Sequence, residues 1–390
     1  MTTENNNKNL NVPNLRFPEF SGEWDRIKVS DLLEFYPTNS LSWEQLDYSD
    51  KGVFNLHYGL IHKGLPTQVD VSENSLPTIK EEYIPKKMSL CQNGDIAFAD
   101  ASEDTNDVAK CIEFANCEGQ KIVCGLHTIH GRDTQNKTIT GYKGYAFSAR
   151  AFREQIRRLA QGTKIYSISS GNFSECYIGI PTKAEQNKIA SLLLAVDQRI
   201  ATQIKIIEKL ESLIKGLCQK LTQQDIPNIT LNNCLECYSS TLQESSVLKT
   251  GDFPVYGATG VCGYTDSPEV NEDSILIIKD GASVGVTYYA SGKYSAIGTL
   301  NRLVAKSYYS LRYLYYCLKV FNFAPYRTGL AIPHIYFRDY GKAQIWCPPI
   351  EEQNRIANAL EKVEQKIATE KSLLEQLYSQ KRFLLQAMFI

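Results

Sequence analysis

Residues 181–202 read PTKAEQNKIASLLLAVDQRIAT and residues 348–369 read PPIEEQNRIANALEKVEQKIAT, so one segment is written twice at a constant offset of 167 (348 − 181). Glu185, Gln186 and Asn187 recur as Glu352, Gln353 and Asn354, and Ile200, Ala201 and Thr202 recur as Ile367, Ala368 and Thr369. Where residues differ the chemistry persists, as in Lys188 and Arg355, Asp197 and Glu364, or Arg199 and Lys366. Internal repetition therefore decides the fold, because equivalent segments need equivalent neighbours.

The match reaches upstream, pairing Gly162, Ile165 and Ile168 with Gly329, Ile332 and Ile335. A weaker echo sets Ile27, Val29, Leu33, Glu34 and Tyr36 against Ile229, Leu231, Leu235, Glu236 and Tyr238, now at an offset of 202 (229 − 27). The helices resemble each other closely while the domains before them have diverged and changed length.

From Ile189 the apolar positions run Leu193, Val196, Ile200, Ile207, Leu210, Ile214, Leu217 and Leu221, a heptad seam with a polar break at Gln203. The second copy keeps the seam from Ile356 to Met388, with Glu370 at the Gln203 place and Lys381 at the Ile214 place. Thr182 and Glu185 predict a capping box for the first helix, Pro348 and Pro349 mark the start of the second, and Pro227 ends the first. Each rod of about 57 Å wants the other as its antiparallel partner.

Residues 27–180 and 229–347 carry short strand patterns at Gly94–Phe98, Ser274–Ile278 and Gly285–Tyr289, helical patterns at Ala151–Gln161 and Ser310–Phe321, and turn signals at Asn93-Gly94 and Gly171-Asn172. The expected class is α+β: an N-terminal segment 1–26, a domain 27–180, a central helical spacer 181–228, a second domain 229–347 and a C-terminal helical spacer 348–390, with a pseudo-twofold internal repeat. The Asn-rich start is expected to lie loose to about Asn11 and to carry no secretory signal. No apolar run approaches the roughly 20 residues that span a bilayer. Eleven cysteines, odd in number and irregular in spacing, fit reduced thiols and a cytoplasmic location.

A net charge of −1 hides its distribution. Residues 119–164 hold nine Lys or Arg against Asp133 and Glu154, and residues 281–338 hold seven with no acidic residue. One such stretch is as readily a solvated face; two at equivalent places favour a nucleic-acid partner, because Lys and Arg neutralise phosphate while short polar side chains reach base edges. The candidates for DNA contact are His127, Thr128, His130, Arg132, Lys137, Tyr142 and Lys143 in the first domain. In the second they are Tyr256, Ser283, Lys293, Tyr294, Asn301, Arg302, Tyr326 and Arg327.

Catalytic signatures are missing: no phosphate-binding GxxxxGK[ST] loop, no Asp-Pro-Pro-Tyr or Asn-Pro-Pro-Tyr tetrapeptide, no GxGxxG after a strand and no HExxH. Glu364 and Lys366 are expected on a solvated helix face. Cys234 and Cys237 form a lone CxxC, and Cys117, Cys124, His127 and His130 cluster without a standard zinc spacing, so no metal is expected.

With two diverged domains, each followed by a copy of one helix, the chain resembles a type I restriction-modification specificity subunit over nearly its whole length. The residues that carry the resemblance are Ile180-Pro181 to Ile189, Cys347-Pro348 to Ile356, Gly162 and Gly329, Gly94-Asp95-Ile96, and the opening run Leu15 to Phe20 with Trp24. The resemblance implies two target-recognition domains, each reading one half of a split DNA sequence, with the paired helices setting the gap. It implies no catalysis and no cofactor in this chain. Two modification subunits would supply adenine methylation with S-adenosylmethionine, and restriction subunits ATP- and Mg-dependent translocation and cleavage. Asp273-Ser274 stands where Gly94-Asp95 would be matched. A coiled-coil adaptor that never binds DNA is the more serious rival, and a self-contained DNA methyltransferase or nuclease the weaker one.

Overall fold

The computed structural model describes residues 11–49, 51–72 and 76–390. The loose run expected up to about Asn11 falls on residues outside that set. The chain packs as two compact units, Met1–Gln203 with Leu374–Ile390, and Ile204–Leu373. Each contains an α+β domain and part of both long helices, Lys183–Thr222 and Ile350–Ala387.

Both domains open and close in the same way. In the first, Asp25–Lys28 pairs antiparallel with Tyr177–Ile180, which sets Ile27 opposite Ile178. In the second, Ile229–Thr230 pairs with Gln344–Ile345, which sets Ile229 opposite Ile345. Both sequence offsets are thus reproduced in one residue pair. A four-residue helix follows each opening strand, Val29–Leu32 and Leu231–Cys234, and then a strand bearing Glu-x-Tyr, Glu34–Tyr36 and Leu235–Ser239.

That strand edges the principal sheet in both units. In the first unit the order is Glu34–Tyr36, Thr128–Arg132, Ile96–Ala99, Cys111–Ala115, Gln68–Asp70, and a four-stranded sheet of Lys121–Cys124, Val53–Leu56, Thr78–Ile79 and Leu46–Asp47 lies beside it in the fold. In the second the order is Leu235–Ser239, Leu300–Ala305, Ser274–Ile278, Thr287–Ala290. The expected helices form at Arg150–Leu159 and Leu311–Lys319. Gly171-Asn172 is no free turn; it sits in the short helix Ser170–Ser174, where Ser169 accepts the Asn172 N–H.

Gly162 and Gly329 owe their recurrence to one turn. They have φ of +146° and +87°, and a Cβ would stand 1.9 Å from the Ile165 carbonyl oxygen in the first case and 2.3 Å from that of Ile332 in the second. Only glycine fits there.

The helix starts are also equivalent. Gln186 donates to the Pro181 carbonyl at 2.9 Å and accepts the Ile139 N–H, while Gln353 donates to the Pro348 carbonyl at 2.7 Å and accepts the Ser310 N–H. Each buried amide ties its helix to the domain before it. The capping box forms by half: Thr182 accepts the Glu185 N–H, but the Glu185 carboxylate is taken by Arg16 in two hydrogen bonds of 2.7 Å and by the Trp24 indole at 3.3 Å. The Arg16 guanidinium is pushed up in pKa by that carboxylate. The opening run Leu15–Trp24 therefore clamps the helix start, and Trp24 also meets Phe389 edge to face.

The helices run antiparallel along the heptad seam. In the first unit Leu193, Val196 and Ile200 are buried with Leu377 and Leu384; in the second Ile207, Ile214, Ile356, Leu360 and Ile367 are buried. Lys381 pairs with Asp197 and Lys371 with Glu211, each at 2.6 Å, so one partner's number rises as the other's falls. Lys381, a break in the apolar seam, is thus used as a charge partner. Gln203 and Glu370 are both buried, not turned to water. Glu364 is not a solvated face residue either: it accepts from Tyr316 at 2.8 Å and pairs with Lys319 at 2.5 Å. Its repeat equivalent Asp197 accepts from Tyr145 at 3.0 Å.

Candidate nucleic-acid interface

The strand next to Glu-x-Tyr carries an arginine in both units. Arg302 lies on Leu300–Ala305 with its guanidinium carbon 4.5 Å from the centre of the Tyr238 ring, and Arg132 lies on Thr128–Arg132 at 4.5 Å from that of Tyr36. The tyrosine hydroxyl donates to the glutamate two residues earlier in both cases, Tyr36 to Glu34 at 3.1 Å and Tyr238 to Glu236 at 2.6 Å. A guanidinium over an aromatic face is held flat, the posture in which arginine recognises phosphate or guanine. Arg302 spends one terminal nitrogen on Glu272, whereas Arg132 spends Nε and Nη2 on Asp95 and the Leu90 carbonyl, which leaves Nη1.

The counter-charge differs. Arg132 grips Asp95 with two hydrogen bonds of 2.7 Å, and Asp95 is fully buried, also receiving His130 Nε2 at 2.7 Å and the Gln92 N–H. Burial by itself would raise the Asp95 pKa, but hydrogen bonds from Arg132 and His130 outweigh it and hold the carboxyl below its ordinary value. Asp95 in turn pushes the Arg132 pKa up. Arg302 instead pairs with Glu272 at 2.5 Å, an exposed carboxylate. The acidic partner has shifted from the residue just before Ile96–Ala99 to one two places before Ser274–Ile278, which is the departure seen between Gly94-Asp95 and Asp273-Ser274.

The other sequence candidates divide by exposure. His127 is exposed, in a left-handed backbone conformation, with Nδ1 3.1 Å from Asp100; Lys137 is half-buried and donates to the Asp31 carbonyl. Lys293, Ser283 and Arg327 are exposed, while Tyr256 and Tyr326 are half-buried. Lys293 lies over the Phe253 ring, Arg327 donates to the Val284 carbonyl, and Tyr326 stacks on Phe321.

Six candidates lie inside. Tyr142 donates to the Gly179 carbonyl, Lys143 pairs with buried Glu113 at 3.0 Å, Thr128 donates to the Gly125 carbonyl, and Tyr294 meets Ser274. His130 is fully buried beside Asp95, and buried Asn301 accepts from Ser239. These side chains are turned into the domain, so the surface left for contact is narrower than the sequence implied. The structure adds Tyr36, Tyr238 and Glu272, and the exposed arginines Arg150 and Arg157 on one helix. The Glu-x-Tyr echo at the 202 offset was the signal for the first two.

The sequence matches the family described as type I restriction modification DNA specificity domain over residues 118–212 and 223–379, and the chain belongs to that family. It is 26% identical over 155 residues, 39% of this chain, to S.HindORF215P of Haemophilus influenzae, assigned as a type I restriction enzyme specificity subunit. It is 32% identical over 124 residues, 31% of this chain, to the type I restriction enzyme MjaVIII specificity subunit of Methanocaldococcus jannaschii. These matches span 39% and 29% of the relatives' own lengths. The fold is similar to the S subunit of a type I restriction-modification system from M. genitalium, with a TM-score of 0.60 and 18% identity over 97% of this chain and 99% of that one. A second solved chain, from work on assembly and conformational transition of a type I R-M system, gives a TM-score of 0.56 and 16% identity over 93% of this chain and 96% of that one. Among the described residues no helix is long and apolar enough to cross a membrane.

Proposed function

We propose that this chain is the DNA-specificity subunit of a cytoplasmic type I restriction-modification complex. Each domain reads one half of a bipartite duplex target, and the antiparallel helices set the gap between the halves. The observation that carries this reading is the arginine held over tyrosine at the edge of both principal sheets, repeated in two domains whose other surfaces have diverged.

The chain does no chemistry in this reading. Two modification subunits, docked on helices and domains, transfer methyl groups from S-adenosylmethionine to adenine, and restriction subunits add ATP- and Mg-dependent translocation and cleavage. The near-neutral net charge fits such a division, because partner subunits would supply much of the basic surface around the duplex.

The test is methyladenine sequencing in cells with and without the gene, followed by exchange of residues 229–347 for the corresponding domain of another family member. A split methylated sequence that vanishes with the gene, and changes in one half only after the exchange, is the expected result. Loss of no methylation, or change in both halves, would overturn it.

A further inference from the structure

Cys91, Cys124 and His130 are buried together in the first unit, with the two sulfurs and a ring nitrogen of the imidazole within 4.8 Å of one another. No sequence motif joins them; the fold does, by pairing Leu90 with Val123 and by setting His130 on the strand that follows Cys124. The sulfurs are 3.6 Å apart. Two thiolates on a tetrahedral zinc, each about 2.3 Å from the ion, stand roughly 3.8 Å apart, whereas a disulfide needs about 2.05 Å. The spacing suits two ligands on one ion, as it also suits two thiols in contact, and excludes a disulfide.

The imidazole is prepared in the manner of a ligand. Its Nε2 faces the Asp95 carboxylate at 2.7 Å, and with Asp95 ionised Nε2 carries the proton and donates. Nδ1 is then left with a lone pair, buried and without a hydrogen-bond partner. Metal-bound histidines nearly always donate their second ring N–H to a carboxylate or carbonyl, which fixes tautomer and orientation.

We propose that Cys91, Cys124 and His130 form a structural zinc site in the first domain, with Asp95 orienting the imidazole. Cys117, in the same apolar cluster, is a further thiol that a fourth position could draw on. His127, grouped with these residues on sequence, is exposed and bonded to Asp100, and has no part in the site. The ion would join two sheets, because Cys124 ends a strand of the four-stranded sheet and His130 is central to a strand of the five-stranded one. Through Asp95 it would also brace the carboxylate that holds Arg132. The proposal is independent of DNA recognition and stands or falls on metal content.

The full chain, purified without chelator from cells grown with zinc, should carry one equivalent of zinc by elemental mass spectrometry. Cys91→Ser, Cys124→Ser and His130→Gln should each reduce it at least tenfold, while exposed Cys262→Ser should leave it unchanged. Because these changes can also loosen the domain, the unaltered chain supplies a second readout: stripping zinc should lower its thermal midpoint, with recovery on adding zinc but not magnesium. Cobalt in place of zinc should give thiolate-to-metal charge-transfer absorption. Wild-type protein with no more zinc than the Cys91→Ser variant, a thermal midpoint indifferent to stripping, or a Cys91–Cys124 disulfide in the cellular protein would overturn the proposal.

Discussion

Arg302 rests its guanidinium 4.5 Å from the centre of the Tyr238 ring, and Glu272 holds it from the side at 2.5 Å. An arginine fixed in this way gives up less side-chain freedom when it meets a partner, so more of the contact energy is left for discrimination. If it meets a base edge, Arg302→Ala relaxes the second half-site by about 1–3 kcal/mol at one position; if it meets phosphate, binding weakens for all sequences and the salt slope falls by about 1. Tyr238→Leu should reproduce part of either effect, and Tyr238→Phe little of it. Binding titrations of the assembled complex at several salt concentrations, on matched and mismatched duplexes, distinguish these outcomes. Wild-type binding by Arg302→Ala on every duplex would remove this residue from the interface.

The corresponding change in the first domain should differ in kind. Arg132→Ala leaves the buried Asp95 carboxylate with His130 and one backbone donor, whereas Arg302→Ala leaves Glu272 in water. Breaking a buried pair costs about 3–5 kcal/mol and an exposed one about 0–1. Denaturant unfolding should therefore show a large loss for Arg132→Ala and almost none for Arg302→Ala. Equal losses would mean that Asp95 is less enclosed than its contacts indicate.

Gln186→Ala and Gln353→Ala each remove an amide that both donates to a proline carbonyl and accepts a backbone N–H. Leaving those buried backbone groups unpaired should cost about 1–3 kcal/mol per site. Hydrogen exchange at Ile139 in one variant and Ser310 in the other would locate the loss. Protection unchanged at both residues would show that these bonds do not secure the helix starts.

Alkaline pH should loosen the second unit. Burial pushes the Cys218 and Cys237 thiols up to about 11 and the Tyr289 hydroxyl to about 12, and raises Tyr313, Tyr316 and Tyr340 as well. An acid whose folded pKa lies above its unfolded value stabilises the fold fully below the unfolded value and loses that contribution as pH rises toward the folded one. Stability should fall from about pH 9 upward, where unfolded thiols and then phenols ionise. Unfolding midpoints taken between about pH 8 and 11, with tyrosinate absorbance followed in parallel, check it; a flat profile would contradict the burial of these groups.

What the sequence disclosed follows from what repeats. The Gln186 and Gln353 contacts, the turns at Gly162 and Gly329, and the pairing of Ile27 with Ile178 and Ile229 with Ile345 each answer to an offset visible in the chain. The candidate interface was less legible. Residue type does not say which face of a short helix or strand a side chain takes, so Lys143, at the start of Lys143–Ser148, and Tyr294, on Lys293–Ala296, counted as surface groups although both are buried. Tyr36 and Tyr238 stood in the echo but passed as scaffold, because the arginines above them come from strands paired only in the fold. Cys91 and Cys124 share no local motif, and a loop pairing brings them together.

The incoming and outgoing strands of each domain bond to one another, so each domain is tied off at its own neck. At the level of the gene, a crossover near that neck would deliver a whole domain or none, and a hybrid protein would inherit folded parts. The helix segments beside each neck are related, 181–202 and 348–369 sharing 12 of 22 residues, so a transferred domain would meet a similar helix start. Exchange of whole domains would then vary this chain in larger steps than the alteration of single side chains.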